Sequence, residues 1–283
     1  MISQSQPVLT LYRALLCLGL AILAGCSSSP GSRTSQSDGV SPYHPPPADM
    51  ATIPDATPRD EPKSKYGNPS SYVVFGKRYY TLSESHGYNA RGIASWYGSK
   101  FHGQRTSSGE AYDMYAMTAA HKSLPLPSYV RVTNLRNNRS VVVKVNDRGP
   151  FHDNRLIDLS YTAAWKLGII GEGTGLVEVT ALQAGASEVT PTPVVTTPAR
   201  QKRQRLPELF LQVGAFGDSQ NAQRLKQRLE EQLKTSVLIQ GDSAVANQVY
   251  RVQVGPIASV ELADHLSQRL SQLGIENPHV VIR

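Results

Sequence analysis

The stretch Val141-Val142-Val143-Lys144-Val145-Asn146-Asp147-Arg148-Gly149-Pro150-Phe151 decides the fold. Four valines are branched at Cβ and favour a buried strand, and Gly149-Pro150 then stops it. Asn146, Asp147 and Arg148 are therefore presented where the backbone leaves a sheet. A carboxylate fixed at such a place can do chemistry. Taken alone, it reads more simply as a turn aspartate bonding nearby backbone amides, and it is the surrounding chain that shifts the reading.

Working outward, the flanking segments read as more short strands. Ile93 to Gly98 is a strand that places Trp96 and Tyr97 on opposite faces, one for packing and one for a ligand. A polar loop from Phe101 delivers Glu110. Met114 to His121 can be read as a helix or as a strand. Tyr129–Asn134 and Ser140–Val145 form a hairpin across Asn137-Asn138. Ile157–Leu159 is a strand, Ser160 caps a helix over Tyr161–Leu167, Gly168 ends it, and Gly175–Leu182 alternates as a strand. Together, residues 91–185 predict a compact β-barrel, and residues 72–90 a short preamble to it.

The ends and joints are different in kind. Arg13 precedes an apolar run from Ala14 to Ala24, too short to span a bilayer and closed by small residues, so residues 1–26 form a secretory signal. Leu23-Ala24-Gly25-Cys26 resembles a bacterial lipobox, which implies acylation of Cys26 and leaves no cysteine for a disulfide. Ser27 beside it resembles an outer-membrane sorting signal. Residues 27–71 and 186–206 are rich in Ser, Pro, Thr and Gly without a period and predict disordered linkers. The formal charge of +7 is spread out: 11 basic against 7 acidic residues in the barrel segment, four basic residues in 200–205, and a slight acidic excess beyond. This is no nucleic-acid stripe. No Cys/His pair has metal-ligand spacing, and no cofactor motif is present.

GIASWYG (92–98), TSSGEAY (106–112), AAHKSLPL (119–126), VNDRGPF (145–151) and IDLS (157–160), in that order, resemble the rare lipoprotein A family. The resemblance implies a double-psi β-barrel and endolytic lytic transglycosylase activity on peptidoglycan stripped of stem peptides. In such a reaction one group protonates the leaving oxygen, and the sugar's own 6-hydroxyl closes a 1,6-anhydro end. Carried over, Asp147 is the acid/base and Glu110 the second carboxyl, the two sharing one groove. The acid needs a raised pKa, through burial or a like charge, so Arg148 should face elsewhere. His121, Asp113, Asn146, Trp96 and Tyr97 are candidate substrate contacts; His121 reads equally as a structural histidine and Asp113 equally as a backbone cap.

Beyond residue 206 the chain repeats itself. Leu211-Gln212-Val213-Gly214 returns as Val252-Gln253-Val254-Gly255, and Ala222, Leu225 and Leu229 recur at the same offset as Ala263, Leu266 and Leu270. Each copy is a strand, a turn and an amphipathic helix with a following strand, which predicts β-α-β-β-α-β over residues 207–283. The apolar stripes are Ala222, Leu225, Leu229 and Leu233, then Leu262, Leu266, Leu270 and Leu273. FLQVGAF (210–216) and YRVQVGPI (250–257) resemble the SPOR domain, which implies binding to stem-free peptidoglycan and enrichment at the division septum. Gln212, Tyr250 and Gln253 are its candidate glycan contacts. The whole predicts an outer-membrane lipoprotein facing the periplasm, mostly β plus α+β, with a non-catalytic wall-binding protein and a glycan hydrolase as rival readings.

Overall fold

The computed structural model describes residues 47, 49–185, 206–241 and 249–283. The signal, Cys26, the first part of the N-terminal linker and the linker at 186–205 lie outside them.

The barrel is built from β3 (Asn89–Trp96), β4 (Thr118–His121), β5 (Ser128–Asn134), β6 (Ser140–Asp147), β7 (Arg155–Leu159) and β8 (Thr174–Leu182). It closes in the order β3-β7-β4-β6-β5-β8. The β3–β7 and β4–β6 pairs are parallel and the others antiparallel, giving the six-stranded double-psi barrel. Val141, Val143 and Val145 point into the core with Val130, Val132, Ile157, Leu159, Val177 and Val179, as the period of two requires. Helix α1 (Tyr161–Leu167) plugs one end, with Ser160 Oγ accepting from Ala163 N and Gly168 at φ 77° closing its last turn. Such caps contribute about 1 kcal/mol each. The ambiguous stretch 114–121 resolves into a turn followed by β4.

The expected tether is corrected from Asp49 onward, where the chain lies along the barrel instead of being disordered. Asp55 Oδ2 accepts from Val142 N at 2.8 Å and its other oxygen from Lys166 Nζ at 3.0 Å. Glu61 bonds the Tyr129 hydroxyl and Lys144, and Asn68 bonds Leu126 N and O. Single polar side chains clamp an aperiodic segment, and no hydrophobic period announces that. The preamble is a hairpin, β1 (Ser71–Val74) and β2 (Lys77–Tyr80). Its Tyr72 and Tyr79 pack on Phe151 at ring distances of 6.2 and 5.5 Å.

The C-terminal domain has β9 (Leu209–Phe216), α2 (Ser219–Leu233), β10 (Val237–Gly241), β11 (Tyr250–Ile257), α3 (Val260–Gln272) and β12 (His279–Ile282). Its sheet runs β10-β11-β9-β12, all antiparallel. Gln212 and Gln253, equivalent in the duplication, sit directly opposite each other, so the repeat's pseudo-twofold passes between them. Leu209, Leu211, Val252 and Val254 meet Ala222, Leu229, Ala263, Leu266 and Leu270 in the core. One stripe residue is corrected: Leu262 is exposed, and Ala263 takes the inward position.

Ile93 and Leu176, on the outside of the barrel, are buried in this same apolar cluster, each contributing about 1.5–3 kcal/mol if fully withdrawn from water. Polar contacts flank them. Arg155 Nη2 meets Asp264 Oδ2 at 2.7 Å, and Asn154 Nδ2 donates to Asp264 and Ser267 at 2.9 Å.

Candidate active site

One end of the barrel carries a row of residues in register. Asp147 of β6 is opposite Ala120 of β4, Ala120 opposite Asp158 of β7, and Asp158 opposite Ser95 of β3. Ala94, Ala119, Ile157 and Leu159 face the core, so alternation turns Ser95, Ala120 and Asp158 the other way. A register shift between Ala119 and Ala120 brings Asp147, rather than Asn146, into line, the re-aiming that bulges perform beside functional sites. Two strand spacings put the aspartate backbones about 10 Å apart. Only the methyl of Ala120 stands between them.

Asp147, Ala120 and Asp158 of this row floor a pocket of about 300 Å³ walled by Tyr97, Phe101, Arg105, Tyr112, Pro150 and Phe151. Three donors converge on Asp147 Oδ1: Ser107 N, Ser107 Oγ and Arg148 N, each at 2.7 Å. Charge-assisted bonds of this kind orient a carboxylate firmly. Gly149 has φ 133°, open only to a residue without Cβ, which lets the chain leave β6 abruptly. Asp158 accepts from Ser95 Oγ. Burial pushes its carboxyl above the ordinary range, although the Ser95 bond and the charges of Arg155, Lys122 and His152 oppose that.

The guanidinium of Arg148 is bonded to Gly67 O, Asn68 Oδ1, His121 O and Leu124 O rather than to the Asp147 carboxylate. His121 supports that arrangement from inside. Its Nδ1 accepts from Ser123 N at 3.2 Å and Leu124 N at 3.0 Å, so Nε2 carries the proton toward Tyr88 Oη at 2.9 Å. Burial, with Arg148 and Lys122 adding, pushes its pKa down to about 3. At 2 % exposure it is no sugar contact, a correction to one of its two sequence readings.

Glu110 stands next to this pocket. It lines an adjoining groove with Lys65, Tyr66 and the 106–109 loop, and the groove meets the Asp147 pocket at Arg105. Its oxygens accept from Lys144 Nζ at 2.8 Å and Asn146 Nδ2 at 2.7 Å. Burial alone would push the carboxyl up, but these bonds and the Lys144 charge outweigh it and hold Glu110 below the usual range. Glu110 and Asp147 thus line adjoining hollows that share Arg105, with Ser107 of the Glu110 groove bonded to Asp147 and Lys144 of β6 bonded to Glu110.

The remaining candidates divide. Tyr97 lines the pocket and stacks on Tyr112 at 4.2 Å, whereas Trp96 packs edge-on against Tyr161 at 5.5 Å. Asn146 is buried and holds Glu110. Asp113 caps Tyr115 N at 2.9 Å and lies 3.7 Å from His102 Nδ1. In the C-terminal domain Gln212 is on the sheet face away from the helices, but Gln253 there is buried, its amide engaged by Gln212 and Arg283. Tyr250 is partly buried against the helix-side core, three positions from Gln253 and so on the opposite face of the sheet. Asp158 was missed by sequence reasoning. Its signal was the polar residue inside IDLS, at a position where alternation turns a side chain off the core.

Comparison with known proteins gives the same division. Residues 89–180 match the lytic transglycolase family and residues 208–282 the SPOR domain family. The endolytic peptidoglycan transglycosylase RlpA of Vibrio cholerae serotype O1 is 40% identical over 94% of this chain and 95% of its own length. The protein of that name from Pseudomonas aeruginosa strain UCBPP-PA14 is 38% identical over 93% and 94%. The crystal structure of the RlpA SPOR domain from Pseudomonas aeruginosa matches with 29% identity and a TM-score of 0.25, over 26% of this chain and 96% of that one. With such identity across nearly the whole length of both chains, this protein belongs to the family of the endolytic peptidoglycan transglycosylase RlpA.

Proposed function

We propose that the barrel cleaves MurNAc–GlcNAc bonds within peptidoglycan strands stripped of their stem peptides and leaves 1,6-anhydro ends. The observation that carries this reading is the pocket: two carboxyl groups on its floor, two strands apart, beneath aromatic walls suited to sugar rings. The relatives' name supports the reaction class. Preference for stem-free strands is supported by Arg105, at the seam between pocket and groove, because a stem-free muramyl lactyl group carries a carboxylate that a guanidinium recognises.

In this reading the SPOR domain gathers the protein on stem-free glycan at the septum, and acylated Cys26 holds it to the outer membrane. Glu110 is not the acid in this reading, because its bonds from Lys144 and Asn146 favour the ionised form. Instead it steadies the loop whose Ser107 grips Asp147. The test is digestion of stem-free strands by the full-length protein, followed by mass analysis. Anhydro ends support the reading, reducing ends indicate a hydrolase, and absence of products leaves a wall-binding protein. Replacing Cys26 by Ala should move the protein out of the membrane fraction, and retention there would overturn the anchor.

A further inference from the structure

We propose that Asp158, not Asp147, is the proton donor to the leaving sugar, with Asp147 the fixed negative charge facing the positive charge that develops at the anomeric carbon. The inference rests on the transglycosylase reading and divides its labour. Three things in the structure carry it, and the first is position. Asp158 shares the pocket with Asp147 and is separated from it in the sheet only by Ala120, whose methyl leaves room for a glycosidic oxygen between the two carboxyls.

The second is the contrast in hydrogen bonding. One oxygen of Asp147 accepts three donors, two of them rigid backbone N–H groups, an environment that holds negative charge in place without reorganisation. Asp158 has one hydroxyl donor, Ser95, and the cations that act on it most, Arg155 and Lys122, are bonded to other groups. Arg155 is paired with Asp264, and Lys122 donates to the carbonyls of His152 and Arg155. The third is burial of the carboxyl at the base of the pocket, which favours the protonated form an acid must hold before turnover.

The step balances as follows. The Asp158 proton passes to the glycosidic oxygen while the C1–O4 bond breaks and its electron pair leaves on that oxygen. The 6-oxygen of the same muramyl ring then bonds to C1, and its hydrogen goes to the Asp158 carboxylate, restoring the acid. One glycosidic bond is broken, one C1–O6 bond is formed, and no water is consumed. Throughout, Asp147 keeps its charge and its three donors.

The charged groups that face Asp158 or share its pocket are Arg155 and His152 from its own strand and lead-in, Lys122 just past β4, Asp147 across Ala120, Arg148 just past β6 and Arg105 on the pocket wall. Against that background the hydroxyl of Ser95 stabilises the ionised form. Removing it should move the high-pH limb of kcat/KM upward, because activity is lost as the acid deprotonates. A purely structural role for Ser95 would scale activity at every pH and leave the limb where it was.

The experiment uses the full-length protein in detergent on stem-free glycan strands, with turnover, strand binding and thermal midpoint measured for Asp158→Asn and a pH profile for Ser95→Ala. Asp158→Asn should lose about 100-fold or more in kcat while KM stays within about threefold. An Asp158→Asn variant that folds and keeps a sizeable fraction of wild-type turnover overturns the assignment while leaving the transglycosylase reading intact. If Asp158→Asn does not fold, an unmoved limb in Ser95→Ala overturns it. Wild type yielding no anhydro ends overturns both.

Discussion

Two carboxyl surroundings lie side by side at one end of the barrel, and they are opposites. Around Glu110 the chain assembles Lys144, Asn146 and, through Lys144, a second carboxylate at Glu61. Around Asp158 it assembles a serine hydroxyl, an alanine and aromatic walls. The first environment gives the carboxylate a cation and an amide donor and so holds a loop still. The second leaves a carboxyl short of partners at the floor of a pocket, which is costly for stability and useful for chemistry. Which acidic residue reacts is thus decided by what faces it, not by how prominent it is in a motif.

The largest effect that could break this contrast is at Asp147. Asp147→Asn should lower kcat about 100-fold or more while strand binding persists. Equal loss of binding in a pull-down would make it a structural residue instead. Next is His121→Ala, which strips the acceptor from two buried N–H groups and should destabilise the protein by about 2–4 kcal/mol in denaturant titration. The sign with pH follows from the ring's folded-state pKa, pushed down from 6.5 to about 3. The neutral histidine supports the fold fully above 6.5, and that support is lost progressively as pH falls toward 3. A wild-type stability curve flat across that window would contradict the burial argument.

A finer test sharpens the comparison from the Asp158 side. Arg155 opposes the upward push on Asp158 less than Ser95 does, so Arg155→Met should move the high-pH limb of activity upward, but by less than Ser95→Ala. A larger shift would mean that the Asp264 pairing does not absorb the Arg155 charge. The smallest effect belongs to the matched cluster. Lys144→Met should cost only about 1 kcal/mol or less, because the pair with Glu110 is half exposed. Since the folded Glu110 and Glu61 carboxyls lie below 4.5, that difference should be present above pH 4.5 and fade as pH falls below it. A difference that persists in acid would point to packing rather than charge.

Much of the fold was legible in local pattern. Ser160 and Gly168 bracket α1, the valine run is β6, and the repeated runs around Gln212 and Gln253 are the strands β9 and β11. Each of these depends on neighbours a few residues away or on literal repetition. The clamped segment around Asp55, Glu61 and Asn68 was not legible, because its hydrogen bonds reach residues such as Val142, Lys144 and Leu126. Nor was the docking of Ile93 and Leu176 against the C-terminal domain, since an apolar residue on an outer barrel face looks the same in sequence whether it is covered or bare.

The sequence by itself determined the two folded domains, most of their strands and helices, the repeat and the presence of acidic residues at a strand end. Periodicity, caps and turns act over short distances, and a linear reading captures them. Only the tertiary structure decided which carboxyls share a pocket. The pairing of β4 with β6 and β7, and one register shift, bring Asp147 and Asp158 onto the same floor, while Glu110, paired with Lys144, lines the groove that adjoins it at Arg105. Proton affinity depends on burial and on charges within a few ångströms, and those distances exist only once the barrel has closed.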